Sequence, residues 1–174
     1  MVDKKTQTAY VRPSWDEYFM DIAELVGSRG TCARGRSGCV IVRDKHILVT
    51  GYVGSPVGLP HCDEVGHEMH KVINDSGVQS EHCIRTAHAE QNAIAQAAKL
   101  GVSVDGGTVY CHMIPCYACA KLLINAGIKK VIALKDYHSS QRSKETFKAA
   151  GVKLDVVRNE MEDYKHDRVA KRKI

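Results

Sequence analysis

The chain has 174 residues, 44% hydrophobic and 26% charged, the proportions of a single ordinary globular domain. No apolar run approaches the roughly 20 residues of a membrane helix, and the first residues lack the apolar stretch of a secretory signal. The formal charge of +5 gathers in residues 165–174, where five Lys/Arg face one Asp, so the body is near neutral and a nucleic-acid partner is disfavoured.

Elements follow in order. Ser14 and Glu17 form a capping box ahead of a helix over 15–26, with Phe19, Ile22, Ala23 and Val26 on its buried face. Strands over 38–43 and 46–53 flank Asp44-Lys45 as a hairpin. The stretch 54–86 reads as irregular, with a short helix near 64–74 and His61, His67, His70 and His82 inside it. A helix over 88–100, closed by Gly101, leads to a strand at 108–112 and a helix over 116–126. A strand at 130–134, a helix over 143–150 and a strand at 153–157 complete the core, with a basic tail over 158–174. This order predicts one three-layer α-β-α domain, its core at about 12–157, around a mixed five-stranded sheet. Sites in such sheets form where helices follow strand ends.

Seven cysteines, an odd number that includes one C-x-x-C pair, suit a reduced cytoplasmic chain with metal chemistry better than a secreted disulfide framework. Cys116 and Cys119 are one helical turn apart, at a helix start whose partial positive charge favours thiolates. His88 adds a neutral ligand. Two thiolates and an imidazole balance Zn²⁺ and leave a fourth position open to water, the pattern of a catalytic zinc. Glu90 is about 200° around a helix from His88, off the metal yet able to move a proton between water and a bound ring.

His88-Ala-Glu90 followed by Pro115-Cys116-x-x-Cys119 resembles the cytidine deaminase superfamily. Its deoxycytidylate (dCMP) deaminase branch is resembled most, through Arg12-Pro-Ser-Trp-Asp-Glu-Tyr-Phe-Met20, Thr50-Gly-Tyr-Val-Gly-Ser-Pro56, Gly58-Leu-Pro-His-Cys62, Arg85-Thr-Ala-His-Ala-Glu-Gln-Asn-Ala93 and Asn125-Ala-Gly-Ile-Lys129. The resemblance implies a cytidine deaminase-like fold and hydrolysis of dCMP to dUMP and ammonia. It implies that the Ala89 amide meets the pyrimidine carbonyl, the Ile114 carbonyl meets the exocyclic amine, and Tyr137 packs by the sugar or phosphate. It also implies a homo-oligomer, commonly a hexamer, controlled by dCTP and dTTP, with Mg²⁺ accompanying a triphosphate effector. Val53 stands where the family carries asparagine, which leaves CMP, dCTP or another cytosine nucleotide as alternative substrates, while a base in RNA is an alternative supported by the basic tail alone. Relatives in this branch hold a second, structural zinc, which here would draw on Cys32, Cys62 and Cys83 with His67 or His82. Cys39 and Cys111, inside apolar strands, read as small core residues.

Overall fold

The computed structural model describes residues 10–73 and 79–161. Helix α1 spans Trp15–Gly27. Its capping box forms as the spacing predicts: the Glu17 amide donates to Ser14 Oγ (3.2 Å) and the Ser14 amide to Glu17 Oε2 (2.7 Å). Strands β1 (Gly38–Arg43) and β2 (His46–Tyr52) make the expected hairpin, with positive φ at Asp44 and Lys45. After the one-turn helix α2 (Cys62–Val65) come β3 (Met69–Ile73) and β4 (Gln79–Cys83). The rest alternates: α3 (Ala89–Leu100), β5 (Thr108–Met113), α4 (Tyr117–Asn125), β6 (Lys130–Lys135), α5 (Gln141–Ala149) and β7 (Lys153–Val156).

The sheet order is β2-β1-β5-β6-β7, antiparallel across β2-β1-β5 and parallel across β5-β6-β7. The predicted mixed five-stranded sheet is therefore present. On one face α1 packs Phe19, Met20 and Ala23 against Val40, Val42, Tyr110, Ile132 and Leu134. The other face carries the larger core, where Ala93, Ala97, Ala120, Leu123 and Phe147 meet Cys39, Ile41, Val109, Cys111 and Val131. Small residues on α3 let it lie close to the sheet. A Cβ on Gly51 would sit 2.2 Å from the Ala89 carbonyl oxygen and 2.4 Å from the Ala93 nitrogen. That contact seats the first turn of α3 on β2.

The helix expected near 64–74 is absent. Gly66, at φ 82° and ψ 176°, takes a backbone conformation open to glycine and stops α2 after one turn. Beyond it, β3 and β4 form a separate antiparallel hairpin, with Met69 opposite Cys83 and Ile73 opposite Gln79. Its strands are largely exposed, so no buried face imposed an alternating pattern on the sequence. Three helix starts also shift. His88 and Cys116 are N-caps with extended backbones rather than first helical residues, and α5 begins two residues early, at Gln141. Among the described residues no helix is long and apolar enough to cross a membrane. The tail from residue 162 lies outside the described residues.

Candidate active site

The N-caps of two neighbouring helices bring the first ligand set together. Ala87 and Gly54 exchange two backbone hydrogen bonds (3.0 and 3.2 Å), which anchor the chain just before His88 to the end of β2. The His88 amide then donates to Gln91 Oε1 (2.8 Å), and its carbonyl accepts the first helical bond from the Asn92 amide (3.0 Å). Beyond β5, Ile114 and Pro115 carry the chain to Cys116, whose carbonyl accepts from the Ala120 amide (2.8 Å). A cap residue and the third residue of its helix face the same side, so Cys116 and Cys119 converge although only Cys119 lies within the helix. The same cap geometry replaces the 200° argument for His88 and Glu90, because the helical period does not apply to an N-cap.

His88 Nδ1 lies 3.4 Å from Cys116 Sγ and 3.5 Å from Cys119 Sγ. A tetrahedral zinc with Zn–S near 2.3 Å and Zn–N near 2.0–2.1 Å separates sulfur from nitrogen by about 3.5 Å. The three side chains therefore have the spacing of zinc ligands and could hold the ion. Their proton affinities agree. The Cys116 thiol is pulled down to about 4, first by its hydrogen bond with Cys119 and against the effect of burial. The Cys119 thiol is pushed up by retaining the shared proton and by burial. The Cys116 sulfur raises His88 to about 9, although burial opposes it. Those two protons are the ones a divalent cation displaces on binding.

Glu90, 8% exposed, is the second residue of α3 and lines the same cleft. Burial raises its carboxyl pKa, opposed by the charge on His88. It lies outside the ligand group. A buried carboxyl at the floor of a cleft is suited to carrying protons.

The cleft encloses about 930 Å³. Val53, Ala89, Ile114 and Tyr137, the four residues implied for substrate contact, all line it, and so do Arg34, Lys71, His82 and His138. The sequence assigned Arg34, Lys71 and His138 to no site, and His82 only to the second metal group. Lys71 and His82 come from the β3–β4 hairpin, and Arg34 reaches the Glu81 carbonyl on that hairpin (3.4 Å). The unforeseen hairpin brings Lys71 and His82 to the cleft.

A second group collects beside the first. Cys32 Sγ lies 3.5 Å from His67 Nδ1, Cys62 Sγ lies 3.5 Å from Cys83 Sγ, and the four ligand atoms fall within 4.8 Å of one another. Four donors at this spacing could close a metal site. His67 is thus the histidine of the group. His82 does not join it: it sits opposite His70 in the hairpin register, with Nε2 2.9 Å from Ser80 Oγ. Val53 packs with Cys32 and Cys62 of the second group and also lines the cleft, as do Cys32 and Cys83. Cys39 and Cys111 face each other across β1 and β5, fully buried.

The family model for the cytidine and deoxycytidylate deaminase zinc-binding region matches residues 13–135. The ComE operon protein 2 of Bacillus subtilis is 43% identical over 84% of this chain and 72% of its own length. The deoxycytidylate deaminase of Saccharomyces cerevisiae is 37% identical over 86% of this chain. That match spans 47% of the yeast protein, about half its length. Among solved structures, the dCMP deaminase of cyanophage S-TIM5 in complex with dCMP and dUMP superposes with a TM-score of 0.67 at 28% identity, covering 84% of this chain and 99% of that one.

Proposed function

The chain belongs to the family of cytidine and deoxycytidylate deaminases with their zinc-binding region, and we propose that it hydrolyses dCMP to dUMP and ammonia. The observation that carries this reading is the convergence of three soft ligands and a buried carboxyl in one cleft large enough for a nucleotide. A metal site that only braced the fold would have no use for Glu90.

His88, Cys116 and Cys119 would hold zinc, which when bound supplies a Lewis acid that makes water nucleophilic near neutral pH. Glu90 takes a proton from the attacking water and passes it to ring N3, then helps protonate the departing amine. The water oxygen bonds to C4, the bond from C4 to the amine breaks, and the products are dUMP and ammonia. Burial suits Glu90 to this work, since a raised pKa lets the carboxyl hold a proton as well as release it. Ala89 is the first residue of α3, so its amide has no acceptor within the helix and is placed for the pyrimidine carbonyl oxygen. The Ile114 carbonyl receives the exocyclic amine and Tyr137 packs by the sugar, while Arg34 and Lys71 provide a positive wall for the phosphate.

A structural zinc held by Cys32, Cys62, His67 and Cys83 belongs to the same reading, supported by their spacing. Control by dCTP and dTTP, Mg²⁺ with the triphosphate and a homo-oligomer up to a hexamer rest on the family resemblance, and a cytoplasmic setting rests on the odd set of seven cysteines.

The test is a panel of dCMP, CMP, dCTP and cytidine offered to zinc-loaded protein, with ammonia release measured. The expected result is the highest kcat/KM on dCMP. Preference for CMP or dCTP would move the substrate and keep the chemistry, whereas turnover of none of the four would overturn the proposal.

A further inference from the structure

A nucleotide presents base, sugar and phosphate in that order. In the proposed pose the base meets Glu90 and Ala89, and the phosphate meets Arg34 and Lys71. The wall between them holds Val53, whose methyl groups cannot hydrogen-bond a sugar.

Six side-chain polar atoms among the described residues are buried without a hydrogen-bond partner: those of Thr31, Ser37, Ser55, His61, Arg85 and Ser143. Of these residues, Ser37 alone lines the cleft. It is 8% exposed, and a buried hydroxyl without a partner calls for an explanation.

Its position supplies one. Gly38 pairs with Tyr52, and the Val53 amide donates to the Ser37 carbonyl (3.0 Å), so Ser37 continues the ladder directly opposite Val53. Opposed residues of an antiparallel pair project from the same face. Val53 is followed by Gly54, which is hydrogen-bonded to Ala87, the residue before His88. On its other side, Ser37 lies three residues beyond Arg34. Ser37 therefore lines the cleft beside Val53, on a strand pair linked in sequence to Arg34 at one end and through Gly54 and Ala87 to His88 at the other. Its hydroxyl turns about a single side-chain torsion, and reaching a ligand sacrifices no existing hydrogen bond.

We propose that Ser37 is the sugar-recognition residue of this chain, its hydroxyl bonding the 3′-hydroxyl of the nucleotide beside the apolar Val53. This rests on the dCMP reading above. A deoxynucleotide 5′-monophosphate has only that sugar hydroxyl free, so the pairing identifies a single atom on each side.

The experiment measures kcat and KM of the zinc-loaded full chain for dCMP and for 2′,3′-dideoxycytidine monophosphate, in the wild type, Ser37→Ala and Ser37→Thr. One neutral hydrogen bond corresponds to about 3- to 10-fold in kcat/KM. The wild type should prefer dCMP by that factor, expressed in KM with kcat little changed. Ser37→Ala should lose the same factor on dCMP and nothing on the dideoxy substrate, and Ser37→Thr should restore the preference. Equal losses on both substrates in Ser37→Ala would assign Ser37 a structural role and overturn the proposal. Absence of preference in the wild type would overturn it without any variant. Failure of the wild type to turn over either substrate would overturn the dCMP reading, and this inference with it.

Discussion

Cysteine and histidine gather at two places in this molecule, and the contrast lies in how the fold delivers them. His88, Cys116 and Cys119 come from two helix starts beside one sheet, with the first turn of α3 seated on β2 at Gly51. Cys32, Cys62, His67 and Cys83 come from a loop before a short 3-10 turn, a one-turn helix, the loop after it and the end of β4. Three protein ligands leave a position open for chemistry, and four close the shell. The donors are nearly the same in kind, while the support differs. The first set stands on a framework that the hydrophobic core already holds. The second, on binding a metal as proposed, would itself hold a hairpin whose strands bury little surface.

Removing a ligand from each set breaks the comparison most directly. His88→Ala or Cys116→Ser should cost one zinc per chain and reduce dCMP turnover to background, with little change in Tm. Metal analysis, ammonia release and thermal unfolding check this. Cys32→Ser or Cys83→Ser should instead lower Tm by about 5–10 °C, the effect of a loss of a few kcal/mol at this chain length, and open the hairpin to proteases. If the second pair silenced turnover while Tm held, the division between the sets would collapse.

The histidines sharpen it further. His67→Ala should release the second metal and His82→Ala should retain it, as native mass spectrometry would count. Their separation shows what was legible in the sequence. His88-Ala-Glu90 and Cys116-x-x-Cys119 are short-range patterns fixed by helix starts, and they could be recognised with the helices only approximately bounded. The capping box at Ser14 and Glu17 was equally local. Choosing between His67 and His82 required the β3–β4 register, and those exposed strands carry no periodic apolar signal. Lys71 was hidden for the same reason, and Arg34 because its 3-10 turn meets the cleft only through the tertiary fold. The placement of Ser37 depended on the strand pairing that sets it opposite Val53.

The smallest effect concerns the framework alone. Asp136 accepts from the Tyr137 amide (2.7 Å), Ser140 and Lys144 (2.5 Å), pinning the segment that carries Tyr137 to the cleft. Burial raises its carboxyl pKa, but these partners outweigh that and leave it below the ordinary value. A depressed folded pKa stabilises the fold above the unfolded pKa of about 3.9 and loses that stabilisation as pH falls through the folded pKa. Asp136→Asn should therefore cost about 1 kcal/mol at neutral pH, with the gap to the wild type closing below about pH 4, in unfolding curves measured across pH. Both metal contents should be unchanged at neutral pH.

The most direct measurement of the central claim is dCMP turnover by Glu90→Ala, with zinc counted in the same sample. The account predicts wild-type zinc content and a kcat reduced by roughly 10²- to 10⁴-fold, the usual contribution of a positioned acid–base group. Full turnover with the metal in place would contradict it, since the buried carboxyl would then carry no proton.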